Sequence, residues 1–134
     1  MESDTHPERP VLDVAHLREQ TGDDPALANE VIEIFRGQAE SWGRLLTTDQ
    51  GPGTWADAAH AIKGASLGIG AFQLADRCAE AERVGRSGSP SPVQAALVLS
   101  DVREALHAAL DAAAVVAHRL AMSASFSVSN ASNS

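Results

Sequence analysis

The feature that most constrains the fold lies towards the C-terminus. Leu99, Val102, Leu106, Ala109, Ala113, Val116 and Leu120 follow one another in alternating steps of three and four residues. That spacing draws one apolar stripe along a helix, and the 3–4 alternation is the seam of a helix packed nearly parallel or antiparallel to its neighbours. Such a seam is stable only when other helices cover it.

The chain offers four more helical segments. A short one is expected over Leu12–Gln20, stopping at Gly22. The second opens at Asp24-Pro25, where Asp24 can cap the free amides of the first turn and proline suits the first helical position. It carries Leu27, Val31, Ile34, Phe35, Trp42 and Leu45 at helical spacing and ends near Thr48, before Gly51-Pro52-Gly53. The third is expected from Thr54, which with Asp57 has the spacing of a capping box. Trp55, Ala59, Ile62, Ser66 and Ile69 lie along one side of it, and Gly68 and Gly70 loosen or end it. The fourth is expected over 71–86 with Leu74, Cys78 and Ala81 inward, and residues 85–92 read as a linker. The fifth starts at Ser91-Pro92, with Ser91 and Gln94 as a second capping box. No run shows strand-type alternation.

These segments predict an all-α chain: an antiparallel up-down four-helix bundle with a short extra N-terminal helix over one end. Residues 1–10, polar and holding Pro7 and Pro10, are expected as a flexible arm. Residues 11–120 form the bundle domain, and the Ser- and Asn-rich stretch 121–134 is expected as a disordered tail. Aromatic residues make up only 4% and tyrosine is absent, which favours close helix packing over a β-sandwich.

A net charge of −8 argues against general binding to nucleic acid or to an anionic membrane. No uninterrupted apolar run reaches the roughly 18 residues of a membrane span, and the start MESDTHPERP is too polar for a signal peptide. The single cysteine, Cys78, fits a reducing, cytoplasmic setting. No Cys/His cluster suggests a metal.

The chemistry is concentrated in His60-Ala61-Ile62-Lys63-Gly64-Ala65-Ser66-Leu67-Gly68-Ile69-Gly70-Ala71. Residues three, four and seven apart share a helix face. His60, Lys63, Gly64 and Leu67 therefore look outward, while Ile62, Ser66 and Ile69 look into the bundle. An exposed neutral imidazole is a competent nucleophile near pH 7. A lysine one turn away can bring positive charge to a phosphoryl group on that ring. Lys63 is also the only lysine among ten basic residues. A mid-helix glycine costs roughly 0.5–1 kcal/mol relative to alanine. Gly64 thus suggests a bare patch of backbone for a close-approaching partner, with Leu67 as an apolar anchor beside it.

This string resembles the signature of histidine phosphotransfer (HPt) domains: histidine, an aliphatic residue at +2, lysine at +3, glycine at +4, small residues at +5 and +6, and glycine at +10. TGDDPAL before the second helix, the region of Phe35, the linker before Trp55 and LADRCAEAE after the motif are also similar to this family, over roughly residues 11–120. The resemblance implies a four-helix bundle with an additional N-terminal helix, acting as a monomeric phosphocarrier rather than a turnover enzyme. It implies that His60 is the phosphorylated residue, through Nε2, that Lys63 helps hold the phosphoryl group, and that Gly64 leaves room for a receiver domain. It further implies that Glu82, 22 residues after His60, bonds the other ring nitrogen. Leu67 is larger than the small or polar residue often found at its position, which bears on receiver choice. The expected partners are a response-regulator receiver domain and a sensor or hybrid histidine kinase. The chain needs no cofactor of its own, and Mg²⁺ is expected on the receiver. The competing function is a non-phosphorylated adaptor or inhibitor that binds a receiver or a kinase.

Overall fold

The computed structural model describes residues 10–133, with side chains described for 10–122. Five helices make it up: α1 (Val14–Gln20), α2 (Pro25–Gly43), α3 (Pro52–Ile69), α4 (Phe72–Arg86) and α5 (Pro92–Asn133). Helix α2 packs on α3, α3 on α4, α4 on α5, and α5 back on α2, while α1 lies against α3. Neighbours in the chain are neighbours around the ring, which is the up-down four-helix bundle the sequence predicts.

The helix starts follow local chemistry. Asp24 Oδ1 accepts hydrogen bonds from the amides of Ala26 and Leu27 at 3.0 and 3.3 Å, with Pro25 behind it. Ser91 Oγ accepts from the Gln94 amide at 3.1 Å. Asp13 caps α1 through the His16 amide at 3.0 Å. Helix α3 departs from expectation: it begins at Pro52, after Gly51, with no side-chain cap. Thr54 and Asp57 therefore lie inside the helix instead of forming a capping box, because proline at the first turn already suits a helix start.

The core faces of α3, α4 and α5 are those expected. Trp55, Ala59, Ile62, Ser66 and Ile69 are buried, as are Leu74, Cys78 and Ala81, and the α5 seam is buried from Leu99 to Val116 with Leu120 at its edge. The face of α2 differs. Its buried residues are Ala28, Ile32, Phe35 and Ala39, whereas Leu27 and Ile34 are exposed, Ile34 by 63%. The apolar residues of α2 occupy more than one side, and the bundle takes the side whose alanines permit close approach to α3 and α5. Loss of a side chain such as Phe35 or Trp55 from this core costs about 3–5 kcal/mol.

Two glycines set spacings. Gly70 ends α3 at φ +85°, in the left-handed region that glycine favours. Its carbonyl accepts from the Asp13 amide at 2.9 Å, which seats α1 over that end of the bundle. Gly85, which the sequence suggested as linker, lies buried inside α4. A Cβ there would stand 2.8 Å from Ala56 Cβ and from the Pro52 carbonyl oxygen, and 2.9 Å from Trp55 Cζ3. No methyl group fits between α3 and α4 at this crossing.

Helix α5 runs on to Asn133, through most of the stretch expected as a tail; after Pro92 the chain has neither glycine nor proline to stop it. The side chains of 123–134 lie outside the described residues, as does all of the expected N-terminal arm except Pro10. The stretch 92–122 of α5 is long and apolar enough for a membrane span by length and composition, with a window of mean hydropathy 1.2. Its polar residues include Asp101, Arg103, Glu104, Asp111 and Arg119, and its seam packs on α2 and α4, as in a bundle core helix. Arg103 Nη1 also donates to the Leu46 carbonyl at 2.6 Å, fixing α5 to the connection that leads into α3.

Candidate functional site

His60 sits at the middle of α3, on the side facing away from the core. Its neighbours Ala59 and Ile62 are buried, so the helical repeat leaves the imidazole outward, with a side chain 63% exposed. Helix α4 returns antiparallel after the Gly70-Ala71 turn and brings Glu82 level with it. Glu82 Oε2 stands 2.9 Å from His60 Nδ1. Its other oxygen, Oε1, accepts from Lys63 Nζ, also at 2.9 Å. One carboxylate thus bridges the imidazole and the ammonium.

The charge state of Glu82 determines what the bridge does. The Lys63 hydrogen bond and charge hold the Glu82 carboxyl below its ordinary value of 4.5; partial burial opposes this, and the imidazole adds a smaller pull in the same direction as Lys63. An ionised carboxylate has no hydrogen to give. The bond to His60 must therefore be donated by Nδ1–H, which leaves the lone pair of the neutral ring on Nε2. Among the described residues no hydrogen bond engages Nε2, and the side chain as a whole is largely exposed.

The remaining expected residues fall on the same surface. Gly64 is exposed, and a Cβ on it would meet nothing within 4 Å. No contact inside the chain requires a glycine there. Leu67, one turn on, is 46% exposed. Gly68 is equally open to solvent. Ser66 is fully buried and gives its hydroxyl hydrogen to the Ile62 carbonyl at 2.6 Å, so it is a packing residue.

Two residues here carry no signal that spacing alone could have isolated. Asp57, one turn before His60, pairs with Arg86 of α4: Arg86 Nη1 lies 2.8 Å from Asp57 Oδ1. Arg86 Nη2 is also 3.6 Å from Glu82 Oε2. The surface cluster is therefore Asp57, Arg86, Glu82, Lys63 and His60, with two carboxylates balancing two cations around the imidazole. Among the described residues no group of three metal-ligating side chains occurs.

Known proteins share this architecture. A family model, the Hpt domain, matches residues 30–115. The crystal structure of histidine phosphotransferase ShpA from Caulobacter crescentus is 36% identical in sequence, with a TM-score of 0.68, over 86% of this chain and 98% of that one. No curated protein gives a match. The chain belongs to the Hpt domain family, and its role is histidine phosphotransfer in a phosphorelay. Hpt domains work with receiver domains and histidine kinases, which sets the class of its partners.

Proposed function

We propose that His60 is the residue that carries the phosphoryl group, accepting it from and returning it to the aspartate of a receiver domain. The observation that carries this is the Glu82–His60 contact, which favours the ring proton on Nδ1 and the lone pair on Nε2 of a largely exposed side chain.

In the forward step the Nε2 lone pair attacks phosphorus in line. The bond between phosphorus and the receiver's aspartyl oxygen breaks, and its electron pair leaves with the carboxylate. Nδ1–H remains bonded to Glu82, whose charge stabilises the positive character the ring gains. Lys63 supplies a cation beside the acceptor for the incoming phosphoryl oxygens. Mg²⁺ held by the receiver's own residues would supply neutralising charge to the transferring group. Gly64 keeps the α3 backbone bare where the receiver approaches, and Leu67 gives the contact an apolar anchor. The chain itself is a carrier: the phosphoryl group arrives and departs, with no net turnover of a small substrate. We take the working form to be a cytoplasmic monomer that engages neither nucleic acid nor membrane; the net charge of −8 speaks against the last two, and the lone Cys78 fits a reducing compartment.

The test is phosphotransfer from a phosphorylated receiver domain to wild type and to His60→Gln. Acid-labile, base-stable label on the wild type and none on the variant is the expected result. Equal receiver binding by both proteins with label on neither would make the chain an adaptor instead.

A further inference from the structure

The Asp57–Arg86 pair is the second tie between α3 and α4 at the site. It lies one turn before His60 on one helix and one turn after Glu82 on the other. Both side chains are about half exposed or more, so the pair adds little to stability. Its geometry is more telling. The guanidinium fork is planar and rigid, so anchoring Nη1 on Asp57 also places Nη2. Nη2 then stands 3.6 Å from Glu82 Oε2, the oxygen that holds His60 Nδ1. That is ion-pair distance but beyond a hydrogen bond, so Arg86 attracts this oxygen without displacing the imidazole from it.

Glu82 needs such a second hold. Lys63 fixes only Oε1, and a carboxylate held by one oxygen can still swing its other oxygen off the ring. With Arg86 Nη2 3.6 Å from Oε2 and Lys63 Nζ 2.9 Å from Oε1, each oxygen has a cation to hold it. We propose that Arg86, braced by Asp57, is a positioning residue for phosphotransfer: it keeps Glu82 Oε2 on His60 Nδ1 and thereby keeps the lone pair on Nε2. This rests on His60 being the acceptor.

The experiment combines ¹⁵N NMR of the His60 ring nitrogens in the unphosphorylated full chain with transfer rates from a phosphorylated receiver. The proteins are wild type, Arg86→Ala, Asp57→Asn, Glu82→Ala, the Glu82→Ala/Arg86→Ala double variant and, for label only, His60→Gln, each checked for helicity. Wild type is expected to show mainly the Nδ1–H tautomer. Arg86→Ala is expected to show a mixture of tautomers and a rate lower by about tenfold, at the low end for residues that orient a reacting group. Asp57→Asn moves both readouts the same way by less. In the Glu82→Ala background, loss of Arg86 changes neither readout further, because the residue it acts through is gone. An unchanged tautomer in Arg86→Ala, or a further tenfold loss of rate in the double variant, overturns the proposal. Label on His60→Gln equal to wild type would instead overturn the acceptor assignment, and the tautomer data would still judge Arg86 separately.

Discussion

Glu82 and His60 are 22 residues apart in the chain, and Glu82 Oε2 stands 2.9 Å from His60 Nδ1. Two antiparallel helices and one tight turn bring them level. The carboxylate is kept ionised by Lys63, so it can only accept, and the imidazole is turned into a donor at Nδ1 and a base at Nε2.

Removing this partner is expected to slow the reaction without unfolding the bundle. Glu82→Ala should transfer phosphoryl groups about 10–100-fold more slowly, the usual range when an orienting group is lost. The helical circular-dichroism spectrum should be retained, because Glu82 is half-buried outside the apolar core and its hydrogen bonds go to His60 and Lys63. A wild-type rate in Glu82→Ala would remove the carboxylate from the mechanism.

Acid should undo the bridge in a defined window. The folded-state value of Glu82 lies below 4.5, so the bridge contributes stability that is fully present above 4.5 and is lost as pH falls through the folded value. Denaturant titrations of wild type and Glu82→Gln should therefore differ above 4.5 and converge as the pH falls through the folded value. Divergence on acidification would contradict the assigned sign.

Gly64 should trade stability against docking. A methyl group there meets no other atom within 4 Å, so Gly64→Ala should gain about 0.5–1 kcal/mol of helix stability. The same methyl stands on the face offered to the receiver, and titration calorimetry should show weaker binding. Gly64→Gln should weaken it further. Tighter binding by either variant would place the contact face elsewhere.

Gly85 should behave in the opposite way. Its Cβ would collide with Ala56, Pro52 and Trp55, so Gly85→Ala should destabilise the fold by about 1–3 kcal/mol, as overpacking does. By separating α4 from α3 it should also draw Glu82 off His60. Thermal melting and the transfer rate, measured together, check both effects.

Cys78 should be inert in the folded chain. Burial pushes its thiol up to about 12, with the Lys63 charge opposing and the Glu82 charge reinforcing. A thiol-reactive dye is expected to label it at the rate of unfolding and no faster. Rapid labelling under native conditions would mean that the α3–α4 layer opens.

Much of this was legible in the residues. The seam of α5 and the inward faces of α3 and α4 follow a single apolar stripe each, and the structure buries those stripes. The α2 face was not legible, because Leu27 and Ile34 satisfy the same periodicity as Phe35 while the packed side depends on alanines. The motif from His60 to Gly70 pointed to the chemistry, since an exposed histidine, lysine and glycine on one face have few structural uses. Asp57 fitted a capping box by spacing, and only the actual start of α3 at Pro52 frees it for Arg86. Pairing between helices depends on their relative register. Gly85 helps set that register, and nothing in its sequence neighbourhood distinguished it from a linker glycine.

Every group placed at the reacting centre lies between Pro52 and Arg86, in one uninterrupted hairpin, whereas α1, α2 and α5 give that hairpin something to rest on. Inherited lesions in this chain should therefore sort into two phenotypes. Changes in α2 or α5 act through ΔG and lower the amount of protein in the cell. Changes along the outer face of the hairpin leave abundance intact and silence the signal.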